Sequence, residues 1–151
     1  MISRPAPARS RVCRFVLSSL IGVALGTCAF RACAQELIAN PGSGVDALTR
    51  NEARLYFTMR LKNWPNGTLV KVFVLPDNSA LHGSFANRIL ELYPYQLRRV
   101  WDRQLFSGTG QAPTTVASEQ EMLDRVATTP GAIGYASAAP SSSSLRVLEV
   151  R

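Results

Sequence analysis

Leu69-Val70-Lys71-Val72-Phe73-Val74-Leu75, followed at once by Pro76-Asp77-Asn78-Ser79, is the stretch that decides the fold. It is short, nearly all apolar and rich in valine, without the alternation of a half-exposed strand, so it reads as a strand covered on both faces. That places it as a central parallel strand. Pro76 to Ser79 breaks it and caps a helix on which Leu81, Phe85, Ile89 and Leu92 keep helical spacing. Pro94 opens the next helix, with Leu97, Val100, Trp101 and Leu105 as its apolar face.

The flanks extend the same alternation of strand and helix. Upstream, Trp64-Pro65-Asn66-Gly67 is a turn, and the helix before it starts at Thr49, where Glu52 completes a capping box and Leu48, Leu55, Tyr56 and Met59 share a face. Glu36 to Ala39 reads as a first strand, ended by Asn40-Pro41-Gly42, with Gly42 to Gly44 as a flexible joint. Downstream, Ser107 to Pro113 is a loop and Thr114 to Ala117 a short strand. Ser118 with Glu121 makes a second capping box for a helix reaching about Thr128, and Pro130-Gly131 stops it. Ala132 to Ala136 and Leu145 to Val150 are strands around the serine-rich turn Ala138 to Ser144. The order βα, βαα, βα, ββ predicts an α/β domain with a mostly parallel sheet flanked by helices.

The whole chain of 151 residues carries a formal charge of +7, but the charge is not evenly spread. Arg4, Arg9, Arg11, Arg14 and Arg31, with Cys13, Cys28 and Cys33, all lie in the first 34 positions. There a basic start, an apolar run from Phe15 to Ala29 and Ala32-Cys33-Ala34 read as a secretory signal peptide cleaved before Gln35. The run is shorter than the roughly 20 residues that span a bilayer. Thr27 and Arg31 make a poor lipidation context for Cys28 and Cys33. The expected organisation is thus a leader, 1–34, and one domain, 35–151, exported to the periplasm. Residues 35–151 hold 12 basic and 10 acidic side chains and no cysteine. Such a balance excludes a clustered nucleic-acid face, and the lack of cysteine excludes disulfides, a thiolate nucleophile and a zinc cluster in that part.

Enzyme readings fail on inventory. His82 is the sole histidine and reads as a surface or capping residue, no Gly-x-Ser-x-Gly elbow is present, and carboxylates lack metal-ligand spacing. Gly108-Thr109-Gly110 has neither the Lys-Ser/Thr nor the setting of a phosphate loop. No cofactor is expected. Trp64, Trp101, Tyr56, Tyr93, Tyr95 and Tyr135 read as core and rim packing. One place has binding potential: the turn from the apolar strand into the helix at Asn78-Ser79. There the first N–H groups lack intrahelical partners and the helix dipole is positive, though Asp77 would repel an anion if it pointed inward.

Leu48-Thr49 through Tyr56-Phe57, Trp64-Pro65-Asn66-Gly67, the apolar strand, Ser79 with Phe85, Phe106-Ser107-Gly108 and Pro130-Gly131-Ala132-Ile133-Gly134-Tyr135 together resemble phosphate-type periplasmic substrate-binding proteins of ABC transporters. Gly-Ala-Ile-Gly-Tyr is the most specific piece. The resemblance runs from about Glu36 to Val150. It implies a single lobe of a type II periplasmic-binding-protein fold and a non-catalytic binding component. The family loop Ser-Gly-Thr-Arg is matched by Ser79-Ala80-Leu81-His82, which retains only the serine, and Met59 stands where family members commonly have glycine. The implied site is a small oxyanion such as phosphate at Asn78, Ser79, Ala80 and Leu81, with Ser107, Gly108 and Thr109 as a second wall. The implied partner is a membrane permease or sensor. The alternative is an interaction module that has lost the ligand site.

Overall fold

In a computed structural model, residues 35–108 and 110–151 are described. The leader assigned to 1–34, with its cysteines, and Thr109 lie outside the described residues. Six strands form one sheet: β1 (Glu36–Ala39), β2 (Ala47–Leu48), β3 (Lys71–Val74), β4 (Thr114–Thr115), β5 (Ala132–Ala136) and β6 (Arg146–Val150), in the order β2-β6-β1-β5-β3-β4. β1 runs antiparallel to both neighbours, β5 and β6, while β2–β6, β3–β5 and β3–β4 pair in parallel. Five strands therefore point one way and β1 the other, so the expected α/β class and mostly parallel sheet are found.

The centre of the sheet is not where the apolar run suggests. β1 and β5 occupy it, and all five residues of β5 are buried. β3 lies between β5 and the two-residue edge strand β4. β3 is also shorter than Leu69 to Leu75. Leu69 is 55% exposed because it bridges back to Asn63 around the Trp64–Gly67 turn, where Trp64 N–H donates to the Thr68 carbonyl.

Helices α1 (Arg50–Phe57), α2 (Ala80–Arg88), α3 (Pro94–Phe106) and α4 (Glu119–Thr128) connect the strands. The capping box at Thr49 and Glu52 is complete. At α4 only half of the expected box exists. Ser118 Oγ accepts from Glu121 N–H, but the Glu121 carboxylate takes the Ala117 N–H instead. α1 ends at Phe57, well short of Trp64. Arg60 N–H reaches the Leu55 carbonyl and Met59 N–H that of Tyr56, a Schellman closure with Met59 at φ 59°. Met59 thus takes the left-handed conformation that glycine adopts more cheaply, at a cost of about 1–2 kcal/mol.

Gly42 to Gly44 is not a loose joint. Asn40 caps a short 3-10 turn, Pro41–Ser43, and its amide also donates to the Val126 and Ala127 carbonyls near the end of α4. Gly131 and Gly134 explain much of the Gly-Ala-Ile-Gly-Tyr motif in packing terms. Gly131 has φ 74° and a side chain there would overlap the Leu69 carbonyl oxygen, while a Cβ on Gly134 would lie 2.6 Å from Met122 Sδ of α4. Trp64 Nε1 donates to the Gly131 carbonyl, so this turn locks the start of β3 to β5.

Candidate functional site

β3 delivers the chain to Leu75, and Pro76 to Asn78 turn it into α2. Ser79 N–H closes the turn on the Pro76 carbonyl, and Ser79 Oγ accepts from His82 N–H at 3.4 Å. Ser79 is therefore the N-cap of α2. The N–H groups of Ala80 and Leu81 belong to the first helical turn, which has no intrahelical acceptors to offer them. Asn78 and Ala80 are exposed and Ser79 and Leu81 half-buried.

Behind this turn lies a buried polar chain. Leu75 N–H donates to the Tyr135 hydroxyl at 2.8 Å, and that hydroxyl is 2.7 Å from His82 Nδ1. His82 Nδ1 is the only acceptor within reach of the Tyr135 proton among the described residues, so the hydroxyl donates to it and neutral His82 carries its own proton on Nε2. Both rings are fully buried, and Tyr135 stacks on Phe85 at 4.0 Å with 9° between planes. Nε2 has no hydrogen-bond partner among the described residues, and its nearest carboxylate oxygen, Asp77 Oδ1, is 3.9 Å away. A buried donor left in that state costs about 1–3 kcal/mol.

Asp77 is occupied on its outer side. Arg98 of α3 grips it through two 2.9 Å bonds, from Nε to Oδ2 and from Nη2 to Oδ1. The guanidinium lies 5.5 Å from the Trp101 ring centroid. Burial holds the His82 pKa below its usual value, with Asp77 opposing the shift and Arg98 adding to it. Hydrogen bonding to Asp77 raises that of Arg98, and burial raises that of Tyr135 against the Leu75 N–H bond.

His82 is thus a core residue, contrary to the surface or capping role read from sequence. α2 turns His82, Phe85 and Ala86 inward, whereas Leu81 is left half-buried. Ser79 Oγ meets the His82 backbone and not its ring, so the pair has no nucleophile-and-base geometry. Among the described residues no cluster of three metal-ligating side chains exists, and no helix is long and apolar enough to cross a membrane.

The expected site residues do not all converge. Asn78, Ser79, Ala80 and Leu81 form one contiguous patch at the carboxyl end of β3. Ser107 and Gly108 follow α3, whose 13 residues advance about 20 Å from Pro94 near that end. Gly108 instead lines a separate groove of about 310 Å³ with Met59, Leu61, Leu69 and Val70, beside the start of β3. Ser107 and Gly108 of the predicted second wall are therefore not at the head of α2, because α3 carries them toward the opposite end of the strand. Sequence reasoning placed His82 in this loop but not in the core, and it missed Tyr135 and Arg98 as parts of this region. Of the two, Tyr135 had a signal, as the last residue of Gly-Ala-Ile-Gly-Tyr.

No known protein-family pattern matches the chain, and no curated protein matches it. Solved structures do. An ABC-type phosphate transport receptor from Vibrio cholerae superposes with a TM-score of 0.58 at 15% identity, over 77% of this chain and 45% of that one. PstS from Borrelia burgdorferi gives 0.58 at 17% identity, over 78% and 47%. A Clostridium perfringens structure, described as a phosphate ABC transporter substrate-binding protein with bound phosphate, gives 0.57 at 19%, over 78% and 46%.

The fold is similar to a little under half of each of these phosphate-receptor structures. The chain spans less than half the length of these solved structures. Within this fold the Ala132-Ile133-Gly134-Tyr135 part of the Gly-Ala-Ile-Gly-Tyr segment lies in β5, and its tyrosine ties β5 to both the end of β3 and α2.

Proposed function

We propose that the chain is a secreted, periplasmic, non-catalytic binding protein that takes a small oxyanion, phosphate being the first candidate, and works beside a membrane permease or sensor. The observation that carries this reading is the head of α2. Ala80 and Leu81 offer backbone N–H groups at the positive end of a helix, at the carboxyl end of a parallel strand, where open α/β folds bind ligands. Asn78 and Ser79 flank those groups. The Arg98 pair offsets the charge of Asp77, which would otherwise oppose an anion. The likeness to phosphate receptors supports the ligand class.

Thermal unfolding of the purified protein in phosphate, sulfate, molybdate and citrate at matched ionic strength tests it. One lobe leaves its ligand open to water, so the titration should extend into the millimolar range. At about 100 times the dissociation constant a ligand adds about 2.7 kcal/mol. The midpoint then rises on the order of 10 °C for a domain of this size. A rise with one oxyanion and not the others supports the reading; no rise with any of them refutes it.

A further inference from the structure

Two features at the head of α2 are unexplained by folding alone. The first is His82 Nε2, a fully buried ring donor that lacks a hydrogen-bond partner among the described residues. It is aimed at the turn and stops 3.9 Å short of Asp77 Oδ1. The second is Arg98, which reaches from α3 to bind both oxygens of Asp77, with its own side chain 43% exposed and that of Asp77 41% exposed. The pair is bidentate, but at this exposure both partners stand in solvent, where another anion can compete for the guanidinium. Asp77 therefore has two potential partners, an exposed guanidinium that it engages and a buried imidazole N–H that it nearly engages.

We propose that Arg98 is the cationic arm of the α2 site, and that Asp77 exchanges Arg98 for His82 when an oxyanion binds. This rests on the oxyanion reading above and deepens it. In the free protein the carboxylate retains the guanidinium beside the helix head. An oxyanion held by the Ala80 and Leu81 N–H groups brings a competing acceptor to Arg98, whose planar fork suits two oxygens of a tetrahedral anion. Asp77, released, closes about 1 Å to accept from His82 Nε2, a normal hydrogen-bond separation. The buried donor gains its acceptor, and the carboxylate turns inward, away from the bound negative charge. Tyr135 keeps Nδ1 as an acceptor and so keeps the proton on Nε2, where the exchange needs it. The loop Ser79-Ala80-Leu81-His82 carries no Lys or Arg, and a residue from α3 supplies the charge.

The test uses inorganic phosphate at low ionic strength with the wild-type chain, Arg98→Gln and Asp77→Asn, read by calorimetric titration and by the ¹⁵N-histidine spectrum. His82 is the only histidine, so its Nε2–H signal needs no assignment. Arg98→Gln should weaken phosphate binding at least tenfold with the melting temperature nearly unchanged. Asp77→Asn should tighten it severalfold, since the competing carboxylate is gone. Saturating phosphate should move the wild-type Nε2–H resonance downfield. Equal affinity of Arg98→Gln and wild type overturns the role of Arg98 and leaves the oxyanion reading standing, and an unmoved His82 signal at saturation overturns the exchange. No binding of phosphate, sulfate, molybdate or citrate by the wild type overturns both.

Discussion

Tyr135→Phe isolates the buried polar chain, because it removes one oxygen and leaves the ring. The stack on Phe85, at 4.0 Å and 9°, is retained, so no packing is lost. The hydroxyl, however, satisfies two buried groups, the Leu75 N–H at 2.8 Å and His82 Nδ1 at 2.7 Å. Each orphaned partner costs about 1–3 kcal/mol, partly offset by no longer burying a hydroxyl, so the net loss should be about 2–4 kcal/mol. His82 cannot relieve it by shifting its proton to Nδ1. That would turn a bare Nε2 lone pair toward the Asp77 carboxylate, 3.9 Å away. Urea denaturation at about pH 8, where a free imidazole is neutral, should show a lower midpoint with an unchanged slope. A loss below about 1 kcal/mol would mean that the chain from Leu75 to His82 contributes little, and the reasoning would be wrong.

His82 should also make stability depend on pH. Its folded pKa is depressed by burial, so below about pH 6.5 the unfolded imidazole takes up a proton that the folded one refuses. Stability then falls with pH, by up to about 1.4 kcal/mol per unit, until the folded group titrates; above about 6.5 this contribution is constant. The wild-type minus His82→Leu difference across a pH series reads it, and a flat difference would count against a buried neutral histidine. Gly131→Ala should cost more than about 2 kcal/mol in chemical denaturation, since its φ of 74° disfavours a side chain and the Leu69 carbonyl oxygen blocks one. Gly134→Ala should cost less, about 1–3 kcal/mol, because the flexible end of Met122 can give way. The reverse order would contradict the packing described.

Local chemistry made much of the fold legible. Thr49 and Glu52 share one turn of helix, so their capping box follows from spacing. Pro94 and Ser79 announce helix starts for the same reason, and an unbroken apolar run such as Val72 to Val74 or Ala132 to Ala136 has no exposed face to offer water. Those signals were enough to set the class, the order of elements and the head of α2 as the place to look. Outside the reach of local pattern were contacts between residues far apart in the chain. β1 enters the sheet between β5 and β6, almost a hundred residues downstream, and displaces β3 from the centre. Helical spacing pointed Leu81 inward, yet the hydroxyl that meets the His82 ring in the core belongs to Tyr135. Arg98 reaches Asp77 only because α2 and α3 pack side by side, and the same course of α3 carries Ser107 and Gly108 away from the head of α2. Pattern along the chain specified the elements and their caps. Which polar groups meet was decided by packing, because burial forces each hydrogen-bonding atom to find whatever partner the tertiary fold brings to it.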